Sequence, residues 1–200
     1  MRNSKYLILS SFYFDFNDDL TEITNVKKSF KKQTILDLYR YNDFKIIKKS
    51  VFSIDYNLNF IYLPKNIEII DNFAFYKNQI QILNLSNCIN LKIINEDVFL
   101  KNQIKHLKLP KNIEIIEWCA FMNNQIKSLD LSNYTKLKYI MANAFAENPL
   151  NEIKILDNIN VDYYENSDDL WNKFAIYYND NNKKAGDYKL ENNKWQWYPL

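Results

Sequence analysis

The octapeptide LPKNIEII occurs at residues 63 to 70 and again, unchanged, at residues 109 to 116, a spacing of 46. Each copy runs on into a related phrase, DNFAFYKNQI after the first and EWCAFMNNQI after the second. Self-similarity at a fixed period marks a chain of stacked units, none of which can bury its apolar side alone. Aligned on this echo, residues 34 to 164 divide into units 34–58, 59–80, 81–104, 105–126, 127–150 and a partial 151–164. A shorter form carrying Leu-Pro alternates with a longer one, so the echo spans one double repeat. Segments 1–33 and 165–200 do not repeat and are assigned as caps, because the end units of a stack need a polar outer covering.

Three apolar columns run through the units. Leu36 and Leu38, Ile61 and Leu63, Leu83 and Leu85, Leu107 and Leu109, Leu129 and Leu131, Ile153 and Ile155 give the period-two alternation of a short strand with one buried face. One strand per unit is predicted, about six in all, in parallel. The doublets Ile46-Ile47, Ile69-Ile70, Ile93-Ile94, Ile115-Ile116 and Tyr139-Ile140 make a second core column. Phe52, Phe75, Phe99, Phe121 and Phe145 make a third, read as the spine of the stack. Asn78, Asn102, Asn124 and Asn148 recur just before each new strand. At such a turn either a left-handed backbone or a side-chain hydrogen bond to the backbone is expected, since the chain's single glycine, Gly186, lies elsewhere.

These residues resemble the leucine-rich repeat family, with its pattern L-x-x-L-x-L-x-x-N/C-x-L. Leu58, Ile61, Leu63 and Asn66 fit it, as do Ile80, Leu83, Leu85 and Cys88, then Ile104, Leu107, Leu109 and Asn112, and Leu150, Ile153, Ile155 and Asn158. The unit at Ile126, Leu129 and Leu131 departs, with Tyr134 at the Asn/Cys position, so no unbroken Asn ladder is expected in that column. The Leu-Pro opening, the double Ile and the Ala-Phe pair look like the bacterial subclass typified by the BspA surface proteins and the Treponema pallidum repeats. The resemblance implies a solenoid with little helix, a protein-binding role without catalysis, and a cell-surface setting. The N-terminal run YLILSSFYF, by contrast, is short, is broken by Ser10 and Ser11, and has no cleavage-like site after it, which leans toward the cytoplasm.

In the flanks, YLILSSFYFDF is predicted to be a strand and LTEITNVKKSFKK a short helix. Ser167-Asp168-Asp169 starts a helix with Leu170, Phe174 and Tyr178 on one face. Asn192-Asn193 joins DYKL and KWQWY as a hairpin.

Composition narrows the function classes. With 26 Lys and Arg against 24 Asp and Glu, a net charge of +2 gives no drive toward nucleic acid or anionic membranes, and no segment is long and apolar enough to span a bilayer. One glycine is too few for a phosphate-cradling loop, and no cofactor is implied. Cys88 and Cys119 have the spacing of neither a zinc site nor a redox pair and are read as free thiols. His106 lacks a recognisable base-orienting partner.

The candidate site is therefore the outward face of the strand array, roughly 25 Å across for six strands. Its columns are Ile35, Phe60, Ile82, His106, Ser128, Glu152; then Asp37, Tyr62, Asn84, Lys108, Asp130, Lys154; then Tyr39, Pro64, Ser86, Pro110, Ser132, Leu156. Another protein is the expected partner, docking on Tyr39, Phe60, Tyr62, Ile82, Asn84, His106 and Lys108, and the chain itself is expected to be a monomer. Two other readings stay open: a glycan on the Trp195 and Trp197 segment, and an enzyme using strand-face carboxylates such as Asp37 and Asp130. Lys27, Lys28, Lys31 and Lys32 are read as a solvated cap surface, with a basic docking patch as the alternative.

Overall fold

A computed structural model describes residues 13–27, 29–30, 33–39, 41, 43–54 and 56–200. The chain winds into a stack of coils, about six turns of parallel strand, and each coil contributes two strands rather than one. The front strands are Ile35–Asp37, Phe60–Tyr62, Ile82–Asn84, His106–Lys108, Ser128–Asp130 and Glu152–Ile155. The back strands are Ile46–Ile47, Ile69–Ile70, Ile93–Ile94, Ile115–Ile116, Tyr139–Ile140 and Asn160–Val161. The double-Ile motif is the back strand itself, so only its second residue is core. Ile47, Ile70, Ile94, Ile116 and Ile140 are buried, whereas Ile69, Ile93 and Tyr139 are exposed along the back. A two-residue strand must send its neighbours to opposite faces, which halves the core column expected there.

The third side of each coil has no strand, yet it is bonded coil to coil at every second residue. Phe73, Phe75 and Lys77 N–H donate to the carbonyls of Glu96, Val98 and Leu100, and the next coil repeats this with Asp97, Phe99 and Lys101. The outer two of each three are left-handed, with φ between 53° and 60° at Phe73, Lys77, Asp97, Lys101, Cys119 and Asn123. The left-handed residue thus sits just before the recurrent Asn and not on it. Each such residue without glycine costs about 1 to 2 kcal/mol, and the stacked amide bonds and the rings between them hold it there.

Phe52, Phe75, Phe99, Phe121 and Phe145 stack face to face inside this side, with centroids 5.2 to 5.6 Å apart and planes within 11°. Phe14 and Phe30 close the column at one end, 5.8 and 5.9 Å from Phe52. Trp171 closes it at the other, 5.0 Å from Phe145.

Where a helix is expected in LTEITNVKKSFKK, the structure has a strand over Glu22–Val26, and Ser29 and Phe30 lie in a 3-10 turn. Glu22–Val26 pairs in parallel with Ile46–Ile47 and antiparallel with Phe14–Phe16. Ile23 and Val26 are buried and the segment is rich in β-branched residues, so the open edge of the first back strand captures it as one more rung. Residues 6 to 12 of the apolar run, and Lys28, Lys31 and Lys32, lie outside the described residues. Lys27 meets Asp15 at 3.2 Å.

At the other end the helix Leu170–Asp180 begins at Asp169, whose carboxylate accepts from Trp171 N at 2.8 Å and, through its second oxygen, from Glu147 N at 2.7 Å. Its buried residues are Trp171, Asn172, Phe174, Ala175 and Tyr178, so Phe174 and Tyr178 face inward as expected while Trp171 takes the place expected of Leu170. Asp169→Ala loses both the cap and the tie to the last full repeat; it should lower unfolding free energy by about 1 to 2 kcal/mol in urea denaturation, with a wild-type m-value. The strands Gly186–Glu191 and Lys194–Tyr198 form a hairpin through left-handed Asn192 and Asn193. Gly186 is required for space: a Cβ there would run into the Trp197 indole.

Candidate functional site

The front array is not one continuous ladder. It hydrogen-bonds in three sets, Ile35–Asp37 with Phe60–Tyr62, Ile82–Asn84 with His106–Lys108, and Ser128–Asp130 with Glu152–Ile155. Both breaks fall after a Leu-Pro unit. The last set continues antiparallel into the carboxy-terminal hairpin, so Gly186–Glu191 extends the front face beyond the repeats. Asp187 and Lys189, opposite Lys154 and Glu152, therefore belong to that face, and the hairpin signal in the sequence said nothing of which edge it would join.

Each three-residue strand turns its middle residue inward and the flanking two outward; the middle residue is buried in four of them and only half-buried at Leu107, which the sequence placed in the core column. At the amino-terminal half the outward residues are large and apolar: Ile35 is 50% exposed, Tyr39 56%, Phe60 39%, Tyr62 51% and Ile82 50%. Asn84, His106 and Lys108 are exposed beside them, with His106 in register with Ile82 and Lys108 with Asn84. In the other half Ser128, Asp130, Glu152, Lys154, Asp187 and Lys189 make a polar surface with pairs such as Lys189 to Asp187 at 3.4 Å. Two members of the third column are not outward as expected: Pro64 and Pro110 are buried, each opening a turn in which its carbonyl accepts from Ile67 or Ile113 N–H.

The strand-face acids have a local structural use. The Asp37 carboxylate accepts from Tyr39 N at 3.1 Å, and that of Asp130 from Ser132 N at 3.0 Å and Ser132 Oγ at 2.6 Å. Asn84 does the same toward Ser86. These are side-chain-to-backbone turns that end the strands of the longer units. Among the described residues no three His, Cys, Asp or Glu side chains gather as a metal site. Cys88 and Cys119 are free thiols; Cys88 is buried, and burial pushes its pKa to about 11.

In the tail, Trp195 is 4% exposed, packs on Phe174 at 5.5 Å and donates to Leu170 O at 3.2 Å. Lys184 Nζ lies 3.6 Å over the Trp197 ring, whose Nε1 donates to Ala185 O. The two indoles thus present no open pair of faces. A broad basin of about 560 Å³ lies on the back, lined by Trp118, Val161, Tyr163, Tyr164, Asn179 and Lys183. Two of its polar side chains are already engaged, Asn179 with Val161 O and Ala175 O, and Lys183 with Asn160. No helix among the described residues is long and apolar enough to cross a membrane.

Set against known families, the chain matches the BspA type Leucine rich repeat region in 6 copies, over residues 11–92, 45–171 and 89–194. Comparison with curated proteins and with solved structures yields no significant match.

Proposed function

The chain belongs to the BspA-type leucine-rich repeat family, a repeat module commonly used for protein interaction, and we propose that it is a non-catalytic protein-binding module whose partner seats on the front strand face. The observation that supports this reading is the run of exposed Ile35, Tyr39, Phe60, Tyr62 and Ile82 across three adjacent coils. Folding does not need them: the same outward positions in later coils hold Ser128, Asp130 and Lys108. Aromatic residues gathered at the centre of a patch carry most of the binding energy in protein interfaces. Asn84, His106 and Lys108 border the patch and supply polar contacts at its rim.

Photo-crosslinking tests the placement. A photoreactive phenylalanine at position 62 should trap a discrete partner in native lysate, and the same residue at position 139, exposed on the back, should not. Equal trapping at both positions, or trapping at 139 alone, would move the site off the strand face. Lys154→Ala should leave the yield at position 62 nearly unchanged, since an isolated exposed charge is worth under about 1 kcal/mol.

A further inference from the structure

The two breaks in the front ladder are copies of one junction, and they are filled differently. In the second, between His106–Lys108 and Ser128–Asp130, no strand carbonyl accepts from Leu109 N–H; it donates instead to the Tyr134 hydroxyl at 3.1 Å. In the first, between Phe60–Tyr62 and Ile82–Asn84, the residue at the position of Tyr134 is Cys88. Its thiol is turned to the Pro64 carbonyl at 3.9 Å, and no described residue accepts from Leu63 N–H, the counterpart of Leu109 N–H. A cavity of about 230 Å³ opens to solvent at this place, walled by Tyr39, Phe60, Tyr62, Leu63, Ile82 and Cys88.

We propose that this cavity is a recognition pocket for a phenolic ring, a tyrosine side chain of the protein partner, whose hydroxyl oxygen accepts from Leu63 N–H. The protein supplies its own template, because at the second junction a phenol already fills the equivalent space from inside and makes the equivalent bond. The volume is below the ~300 Å³ of pockets that hold drug-sized ligands and suits a single ring. The walls are mostly aromatic and aliphatic, with Asn84 and Asn87 also in the lining, and the backbone donor belongs to buried Leu63, so a phenylalanine would fill the space and leave that donor unmet. The Cys88 thiol stays protonated at neutral pH and sets no negative charge against a hydroxyl oxygen. The proposal rests on the strand-face reading and names what anchors there.

The test is a titration of the ¹⁵N-labelled chain with p-cresol and, separately, with toluene. The Leu63 amide should shift downfield and saturate with p-cresol, at an affinity about fivefold above that of toluene, the factor for one neutral hydrogen bond. The Leu109 amide should not move. Cys88→Tyr, which fills the pocket from within as Tyr134 does at its own junction, should abolish the Leu63 response, and Cys88→Ser should keep it. Equal binding of p-cresol and toluene, or a Leu63 response that survives in folded Cys88→Tyr, would overturn the proposal; should that variant not fold, the comparison of the two ligands on the wild type still decides. Failure here with crosslinking still confined to position 62 removes the pocket and leaves the strand face standing.

Discussion

Phe99→Ala is expected to lower the unfolding free energy by about 3 to 5 kcal/mol, a large share of the total stability of a domain. Phe99 is fully buried between Phe75 and Phe121, 5.6 and 5.5 Å away, in a column whose rings lie nearly parallel. Neighbouring rings cannot tilt into the gap, because each is fixed by a backbone whose amides bond to the coils on either side: Phe75 N–H donates to Val98 O and Phe99 N–H to Ala120 O. The lost transfer energy and the cavity term therefore both count. Phe99→Leu, which keeps most of the volume, should cost less than half as much. Urea unfolding measures both, and a loss below about 1 kcal/mol for the alanine variant would mean the column does not carry the stack.

Asn102→Ala is expected to cost about 2 to 4 kcal/mol, more than an ordinary side-chain hydrogen bond. Asn102 is buried; its Oδ1 accepts from Ile80 N at 3.2 Å, and its Nδ2 donates to Phe75 O at 2.9 Å and Phe99 O at 3.2 Å. Asn78, Asn124 and Asn148 repeat the pattern, so that each carbonyl of Phe75, Phe99 and Phe121 receives amide protons from two successive asparagines. Alanine leaves the Ile80 donor with no partner in the core, at about 1 to 3 kcal/mol, while the two carbonyls each keep one bond from a neighbouring asparagine. Asn102→Asp preserves the shape but presents a second acceptor to those carbonyls, and at neutral pH it should be at least as damaging as alanine. An alanine variant as stable as the wild type would show that the ladder is incidental.

The ladder also marks where the sequence was legible and where it was not. Exact repetition fixes the coil count, the front strands and the Phe spine, because those depend only on which residues recur. The Asn column was visible too, but two roles were open to it, and only the backbone places the left-handed turn one residue earlier, on Lys77, Lys101, Asn123 and Glu147. The unbroken Asn ladder judged impossible at the Asn/Cys position exists at this other one. The back strands were missed because a doublet of isoleucines has no alternation to read, so its outward member was counted as core. A short helix is the wrong expectation for LTEITNV because the segment was considered apart from its neighbour, whereas the open edge of the Ile46–Ile47 strand decides its state. On the candidate face, alternation alone predicts that Phe60, Tyr62 and Ile82 point outward. The gap beside them was not legible, since it follows from which strands do not pair.

Under the proposed function these exposed side chains serve binding and not folding. The most direct measurement is the double variant Phe60→Ala with Tyr62→Ala, assayed side by side for urea unfolding and for capture of the partner crosslinked at position 62. Both rings are more than a third exposed, so the unfolding free energy should fall by no more than about 1 kcal/mol, while capture should be lost, each truncation at an interface centre costing about 2 kcal/mol or more. Normal capture by the folded double variant would contradict the account, and so would a loss of several kcal/mol in stability, which would make the two aromatics part of the fold.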